Sequence, residues 1–259
     1  MAYEYLQFLN PVLDPVLNPL LVLAPIWVIT IISVGISLII TIIYKLVTDQ
    51  YLMKTLKTDM KKMQKQMKEI KLQPERFAEH QKILMKKNME YMKHSMKPTL
   101  ITMLPVLLLV GWLATHIAFS PIVPGDQFNA TLMFNPEVTG EVQLTAKGLD
   151  ILNENIQTIN ENKVLFQLKG EEEGKYLLEF KHGDQYYEQK VLLTTEQKYE
   201  QPIHTVKKSD LKAITISNKV LRPFGDNFKI GSWYPGWLST YILLSFVSSI
   251  LIRKLMRVY

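Results

Sequence analysis

Apolar residues gather in three long stretches without Asp, Glu, Lys or Arg, at positions 15–44, 98–125 and 230–252, with a polar region in each of the two gaps. A hydrocarbon core of about 30 Å takes about 20 helical residues, so each stretch is long enough to cross a bilayer once. The boundaries predicted for the spans are 20–47, 98–119 and 230–252. Ahead of the first span, Leu6, Phe8, Leu9, Val12, Leu13, Val16 and Leu17 alternate with polar residues and with Pro11, Pro15 and Pro19. Residues 1–19 therefore read either as an interfacial amphipathic segment or as a loose tail. Glu4 and Asp14, the lack of early cations and the length of the apolar run argue against a cleaved signal peptide.

The first polar region has helical periodicity. Met53, Leu56, Met60, Met63, Met67 and Ile70 recur at alternating steps of three and four, and Met85, Met89, Met92 and Met96 follow at four, three and four. Such spacing lays one helix lengthwise on another, predicting a coiled-coil hairpin over 48–97 with each arm reaching about 36 Å. Pro74 suits the first turn of the second arm, and Glu75 favours the positive end of its dipole.

The second polar region alternates with a period of two. Candidate strands are 128–134, 141–145, 164–168, 175–181, 186–194 and 213–217, with turn signals at Gly170 to Gly174 and at His182-Gly183-Asp184. Six or seven short strands in about ninety residues predict an all-β domain at 120–229, an immunoglobulin-like sandwich without the cysteine pair. The fold class is thus an α-helical membrane protein of three transmembrane helices with a hairpin, plus a β-sandwich inserted between spans two and three.

Charge assigns the two polar regions to opposite sides. From Lys45 to Lys97 there are 13 Lys and Arg76 against six carboxylates, a net +8, while residues 119–235 hold 16 acidic residues against 12 Lys and Arg222, a net −3. The basic tail 253–259 carries Arg253, Lys254 and Arg257. The positive-inside rule then predicts a cell (plasma) membrane protein with its N-terminus outside, hairpin and C-terminus cytosolic, and sandwich extracytoplasmic. Asn129-Ala130-Thr131 on that outer side makes Asn129 a candidate glycosylation acceptor.

Catalytic motifs do not emerge. The chain has no cysteine, its five histidines lack metal-ligand spacing, and neither GxSxG nor a glycine-rich phosphate loop occurs. The sequence predicts no enzyme, no cofactor and no metal. His116, inside the second span, is an ionisable group at depth, read either as functional or as reaching the headgroups.

The spans instead carry hydroxyls. Thr30, Ser33, Ser37 and Thr41 share one helical face, Thr102 and Thr115 lie in the second span, and Ser239, Thr240, Ser245, Ser248 and Ser249 lie in the third. Such residues either pack helices closely through interhelical hydrogen bonds or line a hydrated substrate groove. Eight of the 12 methionines (Met53, Met60, Met63, Met67, Met85, Met89, Met92 and Met96) lie in the hairpin. They either zip its arms or form an adaptable apolar surface. Lys54, Lys57, Lys61, Lys62, Lys65 and Lys68 would meet ribosomal RNA phosphates or anionic headgroups, or form a solvated face that orients the protein.

Asp14-Pro15-Val16-Leu17-Asn18-Pro19-Leu20-Leu21 before the first span, Thr48-Asp49-Gln50 opening the hairpin, Lys97-Pro98 entering the second span, and Pro105 followed by Gly111-Trp112-Leu113 inside it resemble the archaeal YidC-like membrane proteins. These belong to the superfamily of YidC, the mitochondrial oxidase-assembly insertase and the third subunit of the endoplasmic reticulum membrane protein complex. The resemblance covers the first 118 residues and, less specifically, 233–259. It implies a three-span core, a membrane insertase or chaperone role, and as partners membrane lipids, nascent membrane proteins, the ribosome and the protein-conducting channel. Bacterial members carry an arginine in the groove, whereas no cation lies in the uncharged stretches here. The sandwich, with an unknown outer partner, is an addition to the compact pattern. Two rival readings remain: an oligomeric ion channel or lipid-moving pore, and an envelope scaffold acting through its β domain.

Overall fold

The computed structural model describes residues 10–70, 72–207 and 209–258. Among them are three helices long and apolar enough to cross a membrane, with a two-sheet antiparallel β region between the second and third. The chain divides into two compact units, one made of the segment up to Ile26 with Gly111–Leu238, the other of Trp27–Val110 with the residues from Ser239 on.

Helix α1 (Asn10–Leu17) passes into a 3-10 turn, Asn18–Val22, and Leu23 is extended. Leu6, Phe8 and Leu9 of the expected interfacial segment lie outside the described residues. The first span, α2 (Pro25–Val47), begins five residues later than expected because Pro25 suits a first helical position, where its missing N–H costs nothing. At its far end the Thr48 hydroxyl donates to the Tyr44 carbonyl at 2.6 Å. Asp49 then caps α3 (Gln50–Glu69), its Oδ1 accepting the N–H of Tyr51 and Leu52 at 2.9 and 3.0 Å.

The second arm and second span, expected as separate elements meeting at Pro98, form a single helix, α4 (Pro74–His116), which runs through Pro98 and Pro105. Each proline removes one backbone donor; at Pro105, inside the uncharged stretch, ending the helix would strand several backbone groups at several kcal/mol each in lipid, so continuity wins there. The third span, α5 (Trp237–Leu255), starts seven residues later than position 230, since Ile230 and Trp233 pair in a turn and Pro235-Gly236 resists helix.

The sandwich contains β1 (Gln127–Phe134), β2 (Glu141–Ala146), β3 (Asp150–Ile151), β4 (Ile156–Thr158), β5 (Lys163–Lys169), β6 (Gly174–His182), β7 (Gln185–Leu193), β8 (Ile203–Thr205) and β9 (Leu211–Ile216). One sheet runs β3-β5-β1-β9-β8 and the other β4-β2-β6-β7. The six expected strands are present within two residues; the three added ones are short edge or near-edge segments. Gly183, with φ of 55°, turns β6 into β7 so that His182 faces Gln185. Alternate residues point inward, and Phe134, Phe166 and Phe180 fill the core with Leu132, Leu144 and Leu168.

Candidate functional site

The hairpin is built by α3 and the first part of α4, held side by side by the Lys87 ammonium on the Asp59 carboxylate at 2.5 Å. Met53 and Leu56 are buried, and Met60, Met63, Met67 and Ile70 half-buried, as the α3 seam requires. On α4 the expected seam is displaced by one residue. Phe77, His80, Leu84, Lys87, Tyr91 and Ser95 form the half-buried row, whereas Met85, Met89, Met92 and Met96 are 60, 62, 54 and 52% exposed. The two rows have nearly the same spacing, so periodicity did not separate them; the bulky Phe77, Leu84 and Tyr91 and the Lys87 ion pair claim the seam. The exposed row then continues along the same helix through Leu100, Met103 and Leu107. This apolar rail extends about 33 Å, from the basic hairpin well into the second span.

The sequence pattern of these helices matches the family described as "Integral membrane protein EMC3/TMCO1-like" over residues 10–160, more than half of the chain. The chain belongs to that EMC3/TMCO1-like family. The family is part of the Oxa1/YidC/Alb3 insertase superfamily, which associates it with membrane protein insertion, membrane lipids and nascent membrane protein substrates. No curated protein and no solved structure matches the chain. The EMC3/TMCO1-like match runs from α1 into the sandwich and ends before β5, leaving α5 outside it.

In this EMC3/TMCO1-like chain, the α2 hydroxyl stripe lies on the buried face. Ser33, Ser37 and Thr41 are buried; Thr41 donates to the Ser37 carbonyl at 2.7 Å, and Ser37 donates to the Ser245 carbonyl at 3.2 Å, tying α2 to α5. Thr102 is buried and donates to the Pro98 carbonyl at 2.9 Å; Thr240 is buried, and Thr30, Ser239, Ser248 and Ser249 are half-buried. The Ser37 bond joins two helices, whereas the Thr41 and Thr102 bonds stay within their own helices. One atom breaks the pattern, since Ser33 Oγ is buried without a hydrogen-bond partner, whereas Ser245 shares a side-chain hydrogen bond with Tyr241 on its own helix. A stranded polar group of this kind costs about 1–3 kcal/mol. At the basic end of the same helix pair, the Arg253 guanidinium lies 4.9 Å over the Tyr44 ring and Lys45 donates to the Met256 carbonyl at 3.4 Å.

Thr115 belongs to the unit containing the sandwich. Its hydroxyl donates to the Trp112 carbonyl at 2.9 Å, beside His116. His116 stacks on Trp112 with ring centres 4.4 Å apart, its Nδ1 lies 3.0 Å from the Trp112 carbonyl, and its Nε2 faces Asp14 Oδ1 at 3.5 Å. The Trp112 indole N–H donates to that same oxygen at 2.9 Å. His116 is thus held between the entry segment and its own helix. Asp14 and Trp112 are marked in the sequence as residues of the resemblance, and Tyr199, whose hydroxyl accepts the Ala118 N–H at 3.0 Å, is unmarked; their pairings are not legible there because the partners lie 81 to 98 positions away. The six hairpin lysines from Lys54 to Lys68 are all exposed. Asn129 sits mid-strand in β1, paired on one side to Gln167 and held on the other by its N–H on Ser217 Oγ at 2.7 Å. Such a setting is stiffer than the surface loop a glycosylation acceptor favours.

Proposed function

We propose that this chain is a membrane protein insertase or membrane chaperone of the archaeal YidC-like kind, acting without enzymatic chemistry in the cell membrane. The observation that carries the reading is the continuous exposed Met/Leu rail of α4. A helix emerging from the ribosome meets adaptable thioethers on the hairpin and follows the same face to Leu107 without leaving apolar contact. The exposed lysines on α3 recruit the ribosome or the protein-conducting channel through phosphate and headgroup contacts. Cation placement supports an orientation with the hairpin and C-terminal tail in the cytosol and the sandwich outside. Two antiparallel sheets of five and four strands support its immunoglobulin-like reading, and its outer face binds an envelope partner.

The hydroxyl seam supplies the second step. In the closed arrangement the Ser33 hydroxyl is buried with nothing to bond, and across from it on α5 the Ser245 side chain bonds only to Tyr241 of its own helix. When α2 and α5 part, these groups meet water or the polar backbone of an entering segment, lowering the cost of bringing that segment into the lipid.

The test is reconstituted insertion of a short-tailed membrane protein into liposomes holding the full chain. Replacing Met85, Met89, Met92 and Met96 by Ser removes exposed apolar contact without touching a buried residue. Capture should weaken roughly tenfold or more at unchanged melting temperature, from the transfer energy of a few partly buried methionines. Unchanged capture and insertion would overturn the rail.

A further inference from the structure

Between the sandwich and the third span lies a segment that neither core absorbs. Residues 222–236 leave Phe224, Phe228, Ile230, Trp233 and Tyr234 each at least 38% exposed, with the cations Arg222 and Lys229 among them. Five large apolar side chains exposed in fifteen residues are unusual for a surface loop in water, where such groups occur singly. The segment is nevertheless ordered. Gly225 donates its N–H to the Arg222 carbonyl at 2.9 Å, Phe228 donates to Gly225, and Ile230 and Trp233 exchange backbone hydrogen bonds at 2.9 and 3.1 Å. Phe224 and Phe228 rings lie 4.7 Å apart, and the Arg222 guanidinium sits 4.4 Å over the Tyr234 ring while also facing Asp226 at 3.6 Å.

Both ends of this loop are fixed at the ends of spans. Leading into it, Leu221 donates its N–H to the Ala118 carbonyl at 3.1 Å and Ser120 donates to the Lys219 carbonyl at 2.8 Å, just beyond His116, where α4 ends. Leaving it, Trp237 opens α5 directly. A fifteen-residue loop tied at both ends to transmembrane helix termini, folded back on itself and rich in aromatics and cations, has the composition of the bilayer interface, where rings sit at headgroup depth and Arg and Lys reach phosphates. We infer that residues 222–236 form an interfacial anchor that embeds in the headgroup layer of the leaflet on the sandwich side, with Phe228 and Trp233 inserted and Lys229 on lipid phosphate. Its occupant is lipid rather than protein, because the patch is continuous along the chain with a membrane span and its surplus charge is positive. The anchor is independent of the insertase reading.

The chain has no cysteine, so single labels are clean. Asn227→Cys and Ser232→Cys keep every aromatic residue of the loop, and Tyr186→Cys, at the exposed start of β7, reports bulk water. Each is labelled with a polarity-sensitive fluorophore in the full chain, reconstituted into phosphatidylcholine–phosphatidylglycerol nanodiscs, and quenched either by aqueous iodide or by lipids carrying a nitroxide near the headgroup. Positions 227 and 232 should show emission shifted to the blue and roughly twofold or greater quenching by the nitroxide lipid, with position 186 responding to iodide alone. Adding Phe228→Ser and Trp233→Ser to the Asn227→Cys chain should return that label to iodide. Iodide quenching of 227 and 232 equal to that of 186 would overturn the anchor. Protection from both quenchers would overturn it too, in favour of a protein covering the patch.

Discussion

The sandwich and the hairpin spend their apolar residues in opposite ways. In the sandwich, Phe134, Phe166 and Phe180 are buried and lysines and glutamates take the outer positions, so apolar surface there is consumed in holding the fold. In the hairpin, four methionines stand more than half exposed beside a seam only half-buried along most of its length, while the charged positions fill the other faces. The difference teaches that hydrophobicity by itself does not distinguish a core from a working surface. Placement relative to the seam does, and a shift of one residue on a helix is enough to change the role of an entire row.

The comparison breaks first at the core. Phe180→Ala should cost about 3–5 kcal/mol of sandwich stability, read by chemical denaturation of the full chain in detergent, whereas Met89→Ala should stay within about 0.5 kcal/mol because its side chain is already in contact with solvent. Equal losses would mean that the methionine row is structural. Next in size is the entry clamp: Trp112→Phe removes the indole donor from the partly exposed Asp14 carboxylate, leaving His116 facing it, and should lower stability by about 1.5 kcal/mol, with faster proteolysis near α1.

The hydroxyl seam sharpens the contrast from the other side. Ser33→Ala removes an unsatisfied buried group, so the chain should gain about 1 kcal/mol in thermal stability while inserting more slowly. A loss of stability would show that Ser33 already has a partner, such as water, and that the seam is wet at rest. For the lysine row, changing Lys54, Lys57 and Lys61 to Gln should flatten the dependence of log ribosome affinity on log salt by about 2–3, measured by co-sedimentation across a salt series.

Smallest is a pH effect confined to the sandwich. Glu173 accepts the Thr195 N–H and hydroxyl, each at 2.7 Å, and these bonds hold its carboxyl below the usual carboxylate range. Its contribution is therefore present above the unfolded value and lost as pH falls through the lowered folded value. Melting temperature measured between neutral pH and about pH 3 should drop slightly less in Thr195→Val than in the parent chain.

Much of the architecture is legible in the sequence. The gaps between charges located three spans, period-two alternation located six strands, and Pro74 with Glu75 marked the start of α4. Punctuation by proline or glycine was legible at Pro74, but Pro25 and Pro235-Gly236, which set the starts of α2 and α5, lay inside the predicted spans, and Pro98 did not interrupt α4.

Local composition therefore determined which segments cross the bilayer, which fold as a sheet and how charge is distributed between them, because hydrophobicity and periodicity are properties of neighbours in the chain. Tertiary packing alone decided which of two similarly spaced rows on α4 became the exposed rail, that the Ser33 hydroxyl was buried without a partner, and that Asp14 holds Trp112. Each of those outcomes depends on bulk and hydrogen-bond geometry between residues far apart in sequence, and no window along the chain contains both partners.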